Sequence, residues 1–411
     1  LRGEPVAGSG RTDDGGVVLS WGQERLWMLD RLESESARYN IPVVLRLRGK
    51  LDAAALERAL RGLVERHEAL RVVIDAPEGE LRGRVLEMPE IGDLLERHDV
   101  SGSGGVVSGE IVRAFVERGF DLGRDASLRG CLICEGGERH ILALVAHHGA
   151  ADGSSVAVLC SELGAFYEAC LDSREAGLAP LPYQYSDHAR WQRDWLQGSG
   201  ALEGELGYWM EHLRGAPERL ELPVDHLRRD GRRRCAGHEA FGLGSDLGVR
   251  LGALAGAHGT TLFSVLLGGF GSLLGRLSRQ DDVVIGTPVA GRMAGGSEDL
   301  VGFFVNTLAL RIDLSGGPDV AGLVGRVKSV VREALAHQDV PFERVVDAVG
   351  VERSLSHAPV FQAMFAWQSQ EQGEFSLSGL AVEAEAASAN LSNSLDQVQS
   401  EIFTFSKLLI E

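Results

Sequence analysis

A mixed α/β protein of two domains is what the sequence predicts, on three observations. Segments with apolar residues at every second position alternate with segments where they recur every three or four, the periods of strands and helices. The length, 411 residues, is more than one hydrophobic core ordinarily serves. Periodicity lapses once in mid-chain, between Leu171 and Tyr185, where Gly177, Pro180 and Pro182 gather. With 24% charged and 44% hydrophobic residues the composition is that of a globular protein, which excludes a disordered or fibrous one.

Residues 1–17, rich in Gly and charge and without apolar periodicity, are expected to form a linker, with the fold beginning near Leu19. Val43, Leu45 and Leu47 alternate with Val44, Arg46 and Arg48, which predicts a strand with one wet face. Asp52 is placed to cap a helix bearing Leu56, Ala59, Leu60, Leu63 and Leu70 at helical spacing, and a short strand at 72–74 follows. Residues 131–134 and 141–146 read as strands joined by a Glu-Gly-Gly-Glu turn, the second so uniformly apolar that it belongs in the middle of a sheet. From Ser154 or Ser155 to about Cys170 a helix gathers Val156, Leu159, Leu163, Phe166 and Tyr167, so residues 147–153 connect a strand to a helix. A first domain over 18–175, a connection at 176–189 and a second domain over 190–411 follow. The second opens with a Trp-rich helix (Trp191, Trp195, Trp209) and a basic loop at 226–234. Helices near 245–257, 260–278 and 319–337 and strands at 283–285, 308–312 and 360–367 complete it.

Forty-one Lys and Arg against 59 Asp and Glu give a net charge of −18, which repels nucleic-acid phosphates and anionic lipid surfaces. Neither nucleic acid nor membrane is an expected partner. The uncharged stretch 251–275 is broken by His258 and several Gly, Ser and Thr, short of the ~20 consecutive apolar residues of a spanning helix, and no signal peptide is expected. Five cysteines without framework spacing fit free thiols in a reducing, cytoplasmic compartment. Because residue 1 is Leu, the chain is expected to be a piece of a longer polypeptide. Fifty-three glycines include no G-x-G-x-x-G, G-x-x-x-x-G-K or G-x-S-x-G, and His67-Glu68 lacks the second His of a zincin helix. Cys131 and Cys134 have metal-knuckle spacing, yet strand residues three apart face opposite ways and no second pair follows, so no metal site is expected there. The run Arg228, Arg229, Arg232, Arg233, Arg234 reads as a solvated loop.

Chemistry concentrates in His147-His148-Gly149-Ala150-Ala151-Asp152-Gly153, at the end of the buried strand. On the residues alone three readings stand. A metal site needs both imidazoles to converge, whereas neighbours on an extended chain diverge and leave too few ligands. As a structural feature, one His is a satisfied core group and Asp152 a cap or ion-pair partner. As a catalytic site, one His handles a proton while the other and Asp152 shape the loop that aims it.

HHxxxDG resembles the signature of the condensation domains of nonribosomal peptide synthetases, and companion segments follow in that family's order. LSWGQERLWMLDRL at 19–32 is similar to its opening motif, with Ser20, Gln23, Arg25, Leu26 and Trp27 in place and Gly22 where Ala is usual. RHEALR at 66–71, YQYSDHARW at 183–191 (His188 for the usual Phe), GTPVAGR at 286–292, VGFFVNTLALR at 301–311, HQDVPFE at 337–343 and a weaker ERSLSHAPVFQ at 352–362 complete the series.

The resemblance implies two chloramphenicol-acetyltransferase-like lobes, each an α+β sandwich, in a V-shaped pseudo-dimer with the active site in the tunnel between them. It implies donor and acceptor peptidyl carrier proteins as partners, with a neighbouring adenylation domain in the same synthetase. The acceptor's amine attacks the donor's thioester on a phosphopantetheine arm, and a peptide bond forms with no cofactor or metal resident in the domain. The implied catalytic set is His148, His147, Asp152 and Gly153. His148 orients the amine or takes its proton, Gly153 N–H meets the oxyanion, and Asp152 pairs with Arg292. Arg71 and Trp191 give packing support, and Asn306 lines the tunnel.

Epimerisation domains of the family carry Trp soon after the histidines, where this chain has Ser154-Ser155-Val156, and lack the FVNT found here at 304–307. Heterocyclising domains replace the histidines by aspartates, and the DFGWG of plant acyltransferases is missing. Silent docking modules that recruit tailoring enzymes usually have a broken motif; this one is intact. The resemblance fades after Leu380, short of the family's usual end, so an exposed sheet edge and the apolar SEIFTFSKLLIE are expected to lower solubility.

Overall fold

The computed structural model describes residues 4–13, 15–32, 37–102, 105–224, 241–350, 357–367 and 376–384. They fall into two units. One gathers the described residues up to Gly198, Arg292–Phe304 and residues 376–384; the other takes the described residues of Ser199–Gly291 and Val305–Ser369.

In the first unit, residues 4–13 and 15–18 pack onto the fold and do not form the linker expected over 1–17. Their glycines and polar residues make tight turns: Gly15 N–H donates to the Thr12 carbonyl, with Gly15 at φ 83°. Val17 pairs with Gly83 and is buried, Asp187 accepts the Gly10 N–H at 2.7 Å, and Arg11 meets Glu68. Then follow α1 (Trp21–Leu32), β1 (Asn40–Arg48) and α2 (Ala53–Arg66), whose Asp52 cap accepts the Ala54 and Ala55 N–H groups at 2.9 Å as expected. After β2 (Val72–Asp75) come β3 (Arg82–Val85), β4 (Leu95–Asp99), α3 (Gly105–Val116), β5 (Leu128–Gly136), β6 (Arg139–His147), α4 (Gly153–Leu171) and α5 (Tyr185–Gly198). β2 and β3 form a separate pair. The main sheet runs β4-β5-β6-β1, antiparallel except for β4 with β5.

β6 is hydrogen-bonded on both sides and buried from 141 to 147, as its apolar run predicts. One sheet face packs Leu132, Leu142 and Leu144 against Leu56, Leu60 and Leu63 of α2 and Leu159, Leu163 and Tyr167 of α4. The other packs Cys131, Ile133, Ala143 and Val145 against Val112, Phe115 and Val116 of α3. Cys131 and Cys134 thus lie on opposite faces. α4, at 19 residues long and apolar enough to span a bilayer, is a core helix here.

The second unit contains α6 (Ala201–His212), α7 (Ser245–Ala257), α8 (Leu262–Ser278), β7 (Asp282–Val289), β8 (Asn306–Asp313), α9 (Val320–Ala336) and α10 (Phe342–Val349). β7 and β8 pair antiparallel, and Leu267, Leu274, Ile285, Leu308, Leu310, Val327 and Phe365 form the core. The single Trp-rich helix is two helices, because Gly200 (φ 69°) breaks the chain between α5 and α6. The unit division falls at that break, not at 176–189, since Tyr185 and Asp187 bind α5 to Ser20 and Gly10 of the first unit. The strand expected at 360–367 is one parallel bridge, Met364 beside Gly286, with Val360 held at φ 71°. Finally β9 (Ala381–Ala384) adds antiparallel to β1 in the first unit, and Leu377 enters that unit's core. The arginines at 228–234, residues 352–356 of the weaker motif and SEIFTFSKLLIE lie outside the described residues.

Candidate active site

The loop between β6 and α4 is fixed by its backbone. His147 N–H donates to the Ser127 carbonyl at 2.9 Å, His148 N–H to Tyr39 at 2.8 Å and Ala150 N–H to His147 at 2.9 Å. The two imidazoles diverge, as neighbours on a strand must. His147 Nδ1 accepts the Gly149 N–H at 3.1 Å, so its proton sits on Nε2, and its ring meets Tyr39 and Phe120 edge to face. Burial, with His148 and Arg129 nearby, lowers its pKa to about 3. His148 Nδ1 lies 2.8 Å from the Ala151 carbonyl, which can only accept, so this nitrogen carries the proton. Its Nε2 keeps a lone pair and makes no hydrogen bond among the described residues. Burial holds the His148 pKa below the ordinary value, against the opposing pull of the Ala151 carbonyl and the Asp152 charge. A neutral imidazole with Nε2 open to a proton is what a general base needs near pH 7.

Asp152 caps α4 and faces donors only. Ser155 N–H and Oγ at 2.8 Å and Arg292 Nη2 at 3.0 Å meet Oδ1, while Phe304 N–H meets Oδ2 at 3.1 Å. The Asp152 and Arg292 side chains are 3% and 8% exposed. Arg292 also donates to the Ser297 and Leu300 carbonyls and stacks over the Phe304 ring at 4.2 Å. The pair therefore clamps residues 297–304 to the histidine loop. Gly153 is the first residue of α4, exposed, and its N–H has no intrahelical acceptor.

Of the other named residues, Arg71 donates to the Val64, Leu86 and Glu65 carbonyls and Trp191 stacks on Trp195 at 6.3 Å. Asn306, in the second unit, gives Nδ2 to the Gln338 and Val340 carbonyls and accepts the Thr307 and Phe342 N–H groups on Oδ1. Its amide is saturated by the turn it staples. His188, buried among Tyr185, Trp191 and Phe304, has its pKa lowered to about 4 by burial and Arg292 and serves as a neutral ring.

Ser20, Gln23 and Tyr185, which the sequence marks only as motif positions, also support the site. Ser20 and Gln23 cap α1 reciprocally, Ser20 N–H to Gln23 Oε1 at 3.1 Å and Gln23 N–H to Ser20 Oγ at 3.2 Å. Gln23 Nε2 then donates to the Gly149 carbonyl at 3.0 Å, and Tyr185 OH bridges Ser20 Oγ (2.9 Å) and the Phe303 carbonyl (2.6 Å). The S-x-x-Q spacing of a capping box is the signal that could have exposed them.

The family profile described as "Condensation domain" matches residues 14–404. "Malpinin synthetase" of Mortierella alpina is 40% identical over 90% of this chain, which spans 5% of that protein. "Phosphinothricin tripeptide synthetase PhsC" of Streptomyces viridochromogenes is 39% identical over 86% of this chain and 33% of its own length. Among solved structures, the X-domain in "Complex of the X-domain and OxyB from Teicoplanin Biosynthesis" has a TM-score of 0.84 at 30% identity, covering 93% of this chain and 83% of that one. The first condensation domain of the calcium-dependent antibiotic synthetase has a TM-score of 0.71 at 23% identity over 89% of this chain and 83% of its own, a likeness of fold.

Proposed function

This chain belongs to the condensation-domain family of nonribosomal peptide synthetases, and from that premise we propose that it joins two carrier-borne aminoacyl or peptidyl thioesters through a peptide bond. The observation that carries the reading is His148, neutral, with Nδ1 committed to the Ala151 carbonyl and no hydrogen bond on Nε2 among the described residues, at the end of a buried strand. The acceptor's amine attacks the donor's thioester carbonyl, and the C–N bond forms as the carbonyl electrons move onto oxygen. His148 Nε2 takes the ammonium proton, the adduct collapses with loss of the C–S bond, and the proton passes to the departing pantetheine thiolate. Gly153 N–H, directed from the helix start, is suited to the transient oxyanion. Amines are good nucleophiles once neutral, so holding both arms in register supplies much of the rate.

The reaction is redox-neutral and exchanges one acyl bond for another, so the reading asks for no resident cofactor or metal. Its partners are donor and acceptor peptidyl carrier proteins, with an adenylation domain as neighbour. The cytoplasm is the proposed compartment, and the buried Cys131 and half-buried Cys160 thiols, pushed up to about 12 and about 11 by burial, suit it.

One observation favours a second reading. The backbone matches the X-domain at TM-score 0.84 against 0.71 for the condensation domain named above, and that X-domain is found in complex with OxyB. A docking module of this kind holds another enzyme and makes no bond. Purified chain, mixed with two differently loaded carrier proteins, separates the two: a dipeptidyl thioester in the mass spectrum supports condensation, and folded protein that yields none supports docking.

A further inference from the structure

Phe303 lies against His148 in a position that the reaction chemistry does not explain. Its ring stands edge-on to the imidazole, with centroids 4.9 Å apart and planes at 78°, and His148 is 1% exposed. The seat for that ring is made by α1. A methyl group on Gly22, the second residue of the helix, would stand 2.5 and 2.7 Å from two carbons of the Phe303 ring, well inside the 3.5–4.0 Å optimum for carbon pairs. Gly22 is also the position where the resembled motif usually carries Ala. The ring and its backbone are held differently, the ring by partly buried packing against the cluster of Tyr183, Tyr185, Leu300 and Phe304. Phe303 C=O is held by Tyr185 OH at 2.6 Å and Phe304 N–H by Asp152 at 3.1 Å, whereas the ring itself is held by packing alone.

We propose that Phe303 is a removable cover on His148, seated by Gly22, which keeps water from the imidazole until the acceptor's aminoacyl group displaces it. The proposal deepens the condensation reading and rests on it for the identity of the displacing group. Water competes with the amine for the same carbonyl: its attack breaks the same C–S bond and releases the donor as a free acid. Excluding it before the amine arrives protects the growing chain.

The test uses the whole chain and needs no turnover. Diethyl pyrocarbonate is attacked at its carbonyl by a neutral imidazole nitrogen, leaving an N-carbethoxy group and releasing ethanol and carbon dioxide. Tandem mass spectrometry of the labelled peptide reads His148 with the buried His147 as internal standard. Gly22→Ala, which places a better helix former in α1, and Phe303→Ala are each expected to raise His148 labelling by about tenfold or more while His147 stays protected. Phe303→Leu should fall between. The double variant Gly22→Ala, Phe303→Ala should react no faster than Phe303→Ala, because without the ring the new methyl displaces nothing. Wild-type labelling in folded Gly22→Ala, or effects that multiply in the double variant, would overturn the proposal. With a donor-loaded carrier alone, Phe303→Ala should also increase free-acid release. Labelling as expected with no thioester consumed by any variant leaves the cover standing and removes the condensation reading.

Discussion

Asp152→Asn removes one buried charge and turns one of two acceptor oxygens into a donor. Whichever way the new amide is turned, its NH2 faces donors, Phe304 N–H on one side or Ser155 N–H and Arg292 Nη2 on the other, at 3.1 Å or less. A buried donor left without an acceptor costs about 1–3 kcal/mol, and stranding one member of a buried ion pair costs about 3–5 kcal/mol. The two overlap, and Arg292 keeps its Ser297 and Leu300 carbonyls and the Ser155 hydroxyl, so about 3 kcal/mol is the expected loss. At about 2–4 °C per kcal/mol for a domain of this size, the melting temperature should fall by about 6–12 °C. Calorimetry on wild type, Asp152→Asn, Arg292→Met and the double variant reads both the loss and the coupling, which should reach about 2 kcal/mol. Both single variants melting like wild type while dipeptide formation disappears would refute the clamp and assign Asp152 to the substrate.

His148→Ala should lower dipeptide formation by about 10²–10⁴-fold with melting close to wild type. His147→Ala leaves a void and the Gly149 N–H without its acceptor, so it should melt lower by about 2–4 kcal/mol of stability; a folded, inactive His147→Ala beside an active His148→Ala would overturn both roles. Stability should fall as pH drops below 6.5. There the unfolded chain protonates histidines that the fold holds neutral, His147 down to about 3 and His188 to about 4, at up to ~1.4 kcal/mol per pH unit for each. The contribution is complete above pH 6.5, His188→Phe should flatten the slope, and melting temperatures that stay level between pH 6.5 and 4.5 would contradict it. Dialysis against a chelator should leave turnover unchanged; loss of activity restored by zinc would defeat that expectation.

The loop carrying the histidines was legible because two apolar segments bracket it, the unbroken run of β6 and the helix α4 with its core residues Leu159, Leu163 and Tyr167. The divergence of its imidazoles followed from strand geometry alone. The Asp152–Arg292 pair joins residues 140 positions apart, and only the resemblance indicated it. The unit division was not legible for a related reason. Arg292–Phe304 sits in the second half of the sequence yet is bound to Asp152, Ser155 and Tyr185, and no local pattern encodes such bonds. β4, LERHD, reads as polar because Glu96 and His98 occupy its half-buried positions and Arg97 and Asp99 its exposed ones. Gly22 exposes the sharpest limit, since a sequence shows that a methyl is missing but not what lies in its place.

Peptide-bond formation at His148 is tested most directly by a single-turnover reaction. Wild type and His148→Ala, matched in melting temperature, are each mixed with a donor-loaded and an acceptor-loaded carrier protein and quenched over time, and the acceptor-bound dipeptidyl thioester is counted by mass spectrometry. Wild type should transfer the donor to the acceptor arm, while His148→Ala should be slower by at least about 10²-fold. Equal rates for the two proteins, or a folded wild type that forms no dipeptide, would contradict it.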